Sequence, residues 1–207
     1  MRYIAVSLLI LCAACAGTTR WPAVESQVTL AVAHFVHPQH DWELMAGVLP
    51  EEASVVTQES LAALDGELAA LLEKSDLRTV MHAATVQGCE EIVQAEKERP
   101  RFETLEYWKN VGACMKADYL LVPYVSHWQE RDGGEWGVTR PAGVTLDLYL
   151  IKTATGEVRR YHFEEEQQGL AENLLKGGRF FKRKGRWITP LEIAAEALEE
   201  GVRVLGL

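Results

Sequence analysis

Apolar and polar positions along the first half of the chain follow the periods of strands and helices in turn. Residues 28–36 are almost all apolar or small, which is typical of a strand buried on both faces. In residues 51–74 leucines recur every three or four positions and predict a helix that packs on a sheet. Residues 78–86 are rich enough in β-branched side chains for a second strand, and Pro100 ends a short charged helix predicted for residues 89–98.

The second half of the chain predicts one more helix and then a run of strands. Residues 104–116 have one apolar side and form the helix, and residues 118–128 form the strand that follows it. Pro123 lacks a backbone donor, so its position in that strand predicts a bulge or a sheet edge. Alternating apolar positions in residues 144–150 and 158–163 flank a turn and predict a β-hairpin.

The last helix has the clearest start signal in the chain. Thr189 and Glu192 are three positions apart and predict a capping box, and Pro190 occupies the first helical position. The predicted order of elements is therefore β-α-β-α-α-β-β-β-α. This order predicts an α+β (mixed α/β) fold, a single domain in which helices pack on a mixed sheet of about five strands.

The N-terminus has the three parts of a lipoprotein export signal. Arg2 precedes an apolar run of roughly ten residues, which is too short to span a bilayer as a retained helix, and small residues precede Cys15. Ala14 fits the position before an acylated cysteine. The alternative is an ordinary signal peptide that is cleaved after Ala14 or Ala16. Since Ala16, and not Asp, follows the cysteine, the resemblance to sorted lipoproteins implies the outer membrane.

These features predict three segments. Residues 1–14 are the lipoprotein signal peptide, residues 15–26 a lipidated tether and residues 27–207 a periplasmic domain. We expect Cys15 to carry a diacylglycerol and an N-acyl chain such as palmitate, because two or more buried chains give durable attachment where one gives only marginal binding. The expected location is the outer membrane, on its periplasmic face.

Charge and cysteine content narrow the class of protein. Loss of Arg2 with the signal leaves 20 basic residues against 30 acidic ones, a net charge of about −10, so nucleic acid is not an expected partner. Cys12 leaves with the signal and Cys15 takes the lipid, which leaves Cys89 and Cys114 as thiols in an oxidising compartment. They predict a disulfide; two separately buried thiols are the alternative.

Three histidines close together in sequence are weak candidates for metal ligands. His34, His37 and His40 could bind Zn²⁺ or Cu²⁺ through nitrogen. However, side chains three apart on a strand point to opposite faces, so His34 and His37 would not share a metal ion. We therefore predict no metal site and no cofactor.

The strongest local charge lies in residues 176–187, where six basic residues and three aromatic ones occur without an acid. Such a patch on an acidic protein can bind anionic lipid, a glycan or the acidic face of a partner. The alternative is a solvated loop whose rings pack on the sheet edge. The predicted partner- or lipid-binding residues are Lys176, Arg179, Phe180, Phe181, Lys182, Arg183, Lys184, Arg186 and Trp187.

Enzymatic motifs are missing from the sequence: it has no nucleophile elbow, no phosphate-binding loop and no His-Glu-x-x-His. We therefore predict no enzyme, but a non-catalytic module that binds an envelope protein or polymer. The alternative is a metal-dependent or hydrolytic enzyme that acts on envelope polymers.

Two sets of segments carry a resemblance to known proteins. The first set is VTLAVAHF (28–35), ADYLLV (117–122) and LDLYLI (146–151) with TGEV (155–158). It resembles bacterial envelope lipoproteins related to the periplasmic domain of the curli-secretion channel and to the outer-membrane activators of penicillin-binding proteins. The second set is TRP (139–141) and ENLL (172–175) with GRFF (178–181), and it is similar to a group of lipoproteins from sulfate- and metal-reducing bacteria. The resemblance implies an accessory or scaffolding role in cell-envelope assembly.

Overall fold

A computed structural model describes residues 20–50, 54–75, 79–96, 104–168 and 183–207. The predicted signal peptide and Cys15 lie outside these residues. The helices within them are α1 (Gln58–Leu72), α2 (Ala83–Glu96), α3 (Thr104–Cys114) and α4 (Pro190–Leu205). The strands are β1 (Thr29–Val32), β2 (Thr79–Met81), β3 (Tyr119–Gln129), β4 (Asp132–Gly134), β5 (Gly137–Arg140), β6 (Gly143–Lys152) and β7 (Val158–Glu166).

Five of these strands form one mixed sheet in the order β2-β1-β3-β6-β7. β1 runs parallel to β2 and β3, whereas β3, β6 and β7 pair antiparallel. β4 and β5 form a separate hairpin at the end of the sheet where β3 leads into β6. The predicted α+β fold with a five-stranded mixed sheet is therefore confirmed.

Helices cover both faces of the sheet, because successive side chains of a strand point to opposite sides. Leu146, Leu148 and Leu150 of β6 belong to the core cluster on the side of α1 and α4. Tyr149 and Ile151 belong to the cluster on the side of α2 and α3. β6 is thus buried on both faces and divides the core into two layers.

Helix α4 begins as the sequence predicts and packs very close to the sheet. Thr189 Oγ1 accepts the backbone N–H of Glu192 at 3.2 Å, and Glu192 Oε2 accepts the backbone N–H of Thr189 at 2.8 Å. At Gly201 a Cβ atom would lie 2.6 Å from Leu148 Cδ1 and 2.7 Å from Tyr161 Cδ1. A glycine is therefore needed where this helix crosses β6 and β7.

The second strand is shorter than predicted. β2 ends at Met81, and α2 begins at Ala83, six residues before the predicted start at Cys89. Val86, whose β-branched side chain favours a strand, is fully buried on the helix. Burial against the sheet outweighs the weak local preference for strand.

Pro123 lies in the central strand β3, opposite Leu148 of β6, so the prediction of a bulge or a sheet edge at this residue is wrong. β1 ends at Val32, and the neighbouring chain bridges β3 again only at Val36. The nitrogen of Pro123, which has no hydrogen to donate, faces the gap between Val32 and Val36, where no neighbouring strand needs it. The carbonyl of Pro123 accepts the N–H of Val36 at 2.9 Å. The irregularity in β3 comes later, between Val125 and His127.

Residues 20–26 are fixed to the domain. Trp21 N–H donates to the carbonyl of Val204 at 2.9 Å, and Val24 N–H donates to that of Gly206 at 2.8 Å. The Arg159 guanidinium lies over the Trp21 ring, 5.7 Å from its centre. From residue 20 onward, the segment predicted to be a tether is therefore part of the domain.

Candidate functional site

A groove of about 280 Å³ lies beside α2 and α3 on the side of the sheet that these helices cover. The loop after β1 forms its third wall. Apolar and aromatic side chains dominate the lining, and a few polar groups converge on it, as is usual for binding sites. The lining residues are Val36, His37, Gln39, Trp42, Glu43, Glu90, Val93, Thr104, Glu106, Tyr107, Trp108, Asn110 and Tyr124.

Two buried aromatic residues form the floor of the groove. Trp108 Nε1 donates to the hydroxyl of Tyr124 at 2.9 Å, and that hydroxyl donates to the carbonyl of Glu43 at 3.1 Å. Burial raises the pKa of Tyr124 well above its usual range, although the hydrogen bond from Trp108 lowers it in part. The phenol stays neutral at physiological pH, and its hydrogen bond to Glu43 holds the loop onto the sheet.

A disulfide between Cys89 and Cys114 joins two walls of the groove. It links α2 to α3 with a Cα–Cα distance of 5.8 Å. The disulfide predicted from the sequence is therefore present. Because Glu90 and Val93 follow Cys89 on α2, the cross-link holds their side of the groove at a fixed distance from α3.

Three carboxylate side chains line the groove, those of Glu43, Glu90 and Glu106. Glu106 Oε1 accepts a hydrogen bond from Lys109 Nζ at 2.9 Å on the same helix. Among the described residues that line the groove there is no lysine or arginine. The groove therefore combines aromatic surface with negative charge.

The three histidines do not come together. His34 Nδ1 pairs with Asp65 Oδ2 at 2.7 Å, between the end of β1 and helix α1. The ring nitrogens of His37 lie 2.9 Å from the carbonyl of Val125 and 3.2 Å from that of Ser54, and the His40 ring stacks on that of Trp42 with 5.3 Å between the ring centres. Within the described ranges, no three side chains of His, Cys, Asp or Glu are arranged to hold a metal ion.

Four residues of the predicted basic and aromatic patch are described. Lys176, Arg179, Phe180, Phe181 and Lys182 lie outside the described residues. Arg183 differs from the expectation of an exposed charge: its side chain is 5% exposed and forms ion pairs of 2.6 Å with Glu165 and Glu196. Burial lowers the pKa of Arg183, but the hydrogen bonds that its guanidinium donates to these two carboxylates raise it, and the net result lies above the ordinary value. Its charge is used inside the protein.

Arg186 and Trp187 lie beside the β4–β5 hairpin, and Lys184 is an exposed residue two positions before Arg186. Trp187 N–H donates to the carbonyl of Glu135 at 2.8 Å, and the Arg131 guanidinium donates to the carbonyl of Trp187. Arg186 pairs with the Glu135 carboxylate at 3.6 Å. These contacts fix the segment to the hairpin.

Trp136, in the turn of this hairpin, is 78% exposed and was not predicted as a site residue. The sequence of residues 130–137 is rich in glycine and polar residues and predicts a turn. One sequence signal could have identified Trp136 as a site residue. It is a tryptophan in a polar turn between glycines, where the ring cannot belong to the hydrophobic core. We call Trp136, Lys184, Arg186 and Trp187 the hairpin surface.

A second cavity, of about 480 Å³, surrounds a buried carboxylate that the sequence interpretation also missed. Asp147 Oδ1 accepts from Arg160 Nε at 2.7 Å and contacts His162 Nδ1 at 3.0 Å. Burial raises the pKa of the neighbouring Tyr149 to about 12. Since Arg160 and His162 of β7 both contact the same carboxylate on β6, the cluster fixes β7 to β6 across the sheet.

No protein-family model matches this chain, and no curated protein matches it in sequence. Three solved structures are similar to it in fold. The PelC dodecamer from Paraburkholderia phytofirmans has 14% identity and a TM-score of 0.46, with 89% of this chain and 92% of that chain covered. The LpoB C-terminal domain from Salmonella enterica has 15% identity, a TM-score of 0.39 and coverages of 70% and 86%.

The third is Lipoprotein GNA1162 from Neisseria meningitidis, with 16% identity and a TM-score of 0.40 over 76% of this chain and 93% of that chain. None of the described helices is long and apolar enough to cross a membrane.

Proposed function

We propose that this protein is a membrane-anchored lipoprotein on the periplasmic face of the outer membrane, and a non-catalytic binding or accessory module in cell-envelope assembly. One observation carries the proposal. Trp21 lies six residues after the predicted lipid anchor Cys15, at one end of the domain. The hairpin surface lies at the opposite end.

Helix α4 shows the distance between these two ends. Trp21 bonds to Val204 near the C-terminal end of α4, whereas Trp187 bonds to the hairpin just before its N-terminal end. With 16 residues and a rise of 1.5 Å each, α4 is about 24 Å long. Cys15 precedes Arg20 by five residues, which reach at most about 18 Å.

An acylated Cys15 would therefore keep one end of the sheet close to the outer membrane. The hairpin surface then points away from that membrane, toward the periplasm. An exposed tryptophan beside basic side chains is the composition of an energetic hot spot in protein interfaces. This arrangement favours an envelope protein or polymer as the partner of the hairpin surface over the lipid to which the chain is attached.

The disulfide supports the proposed compartment. Disulfides persist in the periplasm and are rare in the reducing cytoplasm. The Cys89–Cys114 bridge therefore agrees with export of the domain.

Two experiments in cells test the proposal. Cys15→Ser should move the protein from the detergent-extracted membrane fraction to the soluble periplasmic fraction. A photo-crosslinking amino acid at position 136 should give a discrete adduct, while the same group at Val55, which is 81% exposed, serves as the control of matched exposure. Adducts of equal yield from both positions, or a Cys15→Ser protein that stays with the membrane, would contradict the proposal.

A further inference from the structure

We infer that the groove beside α2 and α3 is a second binding site, which takes a lysine or arginine side chain presented by an apolar peptide segment of a partner protein. It is separate from the hairpin surface. Its test in solution does not depend on the lipid anchor.

Aromatic side chains give the groove its affinity for a cation on an apolar stem. Trp42 is 38% exposed and Tyr107 is half-buried, while Trp108 and Tyr124 are buried behind them. The face of an aromatic ring attracts ammonium and guanidinium groups, most strongly where water is excluded. The methylene stems of lysine and arginine also pack well on such rings.

The negative charge of the lining side chains favours a cationic over a neutral side chain in the groove. Glu43 lies on the loop, Glu90 on α2 and Glu106 on α3, so each wall contributes one carboxylate. Lys109 lies outside the lining and pairs with Glu106 at 2.9 Å, but the described lining residues themselves include no lysine or arginine, so three carboxylates face one lysine and the groove stays negative. Complementary charge at a groove sets which partner binds and how fast it associates, and an anionic segment would be repelled.

Polar side chains at the groove favour a peptide over a free amine. Asn110 is half-buried in the lining and its side-chain amide makes no hydrogen bond to another described residue, so this amide can bond to the backbone of a peptide. Ile92, next to the lining residue Val93, is 53% exposed and offers apolar surface for a neighbouring side chain. A cavity of about 280 Å³ holds one long side chain with part of its flanking backbone.

The experiment uses the purified mature protein in detergent and fluorescently labelled nonapeptides. Each peptide has leucine and phenylalanine around a central lysine, arginine, norleucine or glutamate, and binding is measured by fluorescence anisotropy. The lysine and arginine peptides should bind about tenfold more tightly than the norleucine peptide, and the glutamate peptide should bind most weakly. The preference for the cation should fall as salt rises.

Variants locate the effect. Glu106→Gln and Glu43→Gln should each weaken binding of the lysine peptide several-fold and leave binding of the norleucine peptide unchanged. Glu91→Gln is the matched control, because Glu91 is an exposed carboxylate on α2 that does not line the groove. Thermal unfolding of each variant checks that the fold is retained, and Gln keeps the oxygen with which Glu43 accepts the backbone N–H of Gln39.

Four results would overturn the inference. The first is equal affinity for the lysine and norleucine peptides. The second is a loss of lysine-peptide affinity in Glu91→Gln as large as in Glu106→Gln or Glu43→Gln. The third is that butylamine alone displaces the labelled lysine peptide as well as the unlabelled peptide does. The fourth is peptide binding that appears only after Arg99→Gln and Arg101→Gln, which would assign the groove to the chain's own basic segment before α3.

Discussion

Replacing Arg183 should unfold the protein more easily, although its sequence context suggests a solvated charge. The guanidinium makes five hydrogen bonds of 2.6–3.3 Å to Glu165 and Glu196, and its side chain is 5% exposed. These two glutamates belong to β7 and α4. Arg183 therefore connects a strand to the helix that packs on it.

The expected magnitude follows from the carboxylate that Arg183→Gln leaves behind. Glu165 is 12% exposed and would keep a charge in a nearly buried place, whereas Glu196 is 52% exposed and could turn to water. Breaking a buried ion pair costs about 3 to 5 kcal/mol when neither partner can be solvated. With one of the two carboxylates free to be hydrated, we expect the free energy of unfolding to fall by about 2 to 4 kcal/mol.

Urea unfolding followed by tryptophan fluorescence measures this change. Lys184→Gln is the matched control, because Lys184 is the exposed neighbour and its replacement should change the free energy of unfolding by less than about 0.5 kcal/mol. A second variant, Arg183→Met with Glu165→Leu, should recover part of the loss, since no buried charge is left unpaired at this site. If Arg183→Gln is as stable as Lys184→Gln, Arg183 is not the buried link described above.

Three further predictions concern stability. Gly201→Ala should lower the free energy of unfolding by about 1 kcal/mol, because overpacking against the sheet costs more than alanine gains in helix propensity; Gly66→Ala, with open space around its Cβ, should raise it by up to about 1 kcal/mol. Equal shifts in urea unfolding would contradict the close packing at Gly201. The hydrogen bond from the backbone N–H of Thr189 lowers the pKa of Glu192. The contribution of this carboxylate to stability is therefore present above its unfolded pKa of about 4.3 and is lost as pH falls through the lowered folded value. Glu192→Gln should weaken the acid dependence of the melting temperature, and an unaltered pH profile would refute this. Reduction of the disulfide, which spans 25 residues, should cost about 3 kcal/mol and release two thiols to alkylation, and two reactive thiols before reduction would disprove the bridge in solution.

Features that depend on neighbours in sequence were determined by the sequence itself. The capping box of Thr189 and Glu192 involves atoms three residues apart, so its signal is local, and α4 begins where the residues predict. The alternation of β6 and β7 and the turn between them predict their pairing for the same reason. The compartment implied by the export signal made the pairing of Cys89 and Cys114 the natural interpretation.

Features that depend on contacts between distant segments were decided only by the tertiary structure. The burial of Arg183 requires Glu165 on β7 and Glu196 on α4, and neither is a neighbour in sequence. Pro123 is tolerated in a central strand because β1 leaves the sheet at that level.

The same limit applies to the groove and to the hairpin surface. The groove collects Glu43, Glu90 and Glu106 from a loop and two helices, which no spacing along the chain relates. Trp136 remains exposed because its hairpin is separate from the five-stranded sheet on which the core packs. Local propensity fixes which elements form, whereas the burial, charge and separation of residues from different elements follow only from how those elements pack.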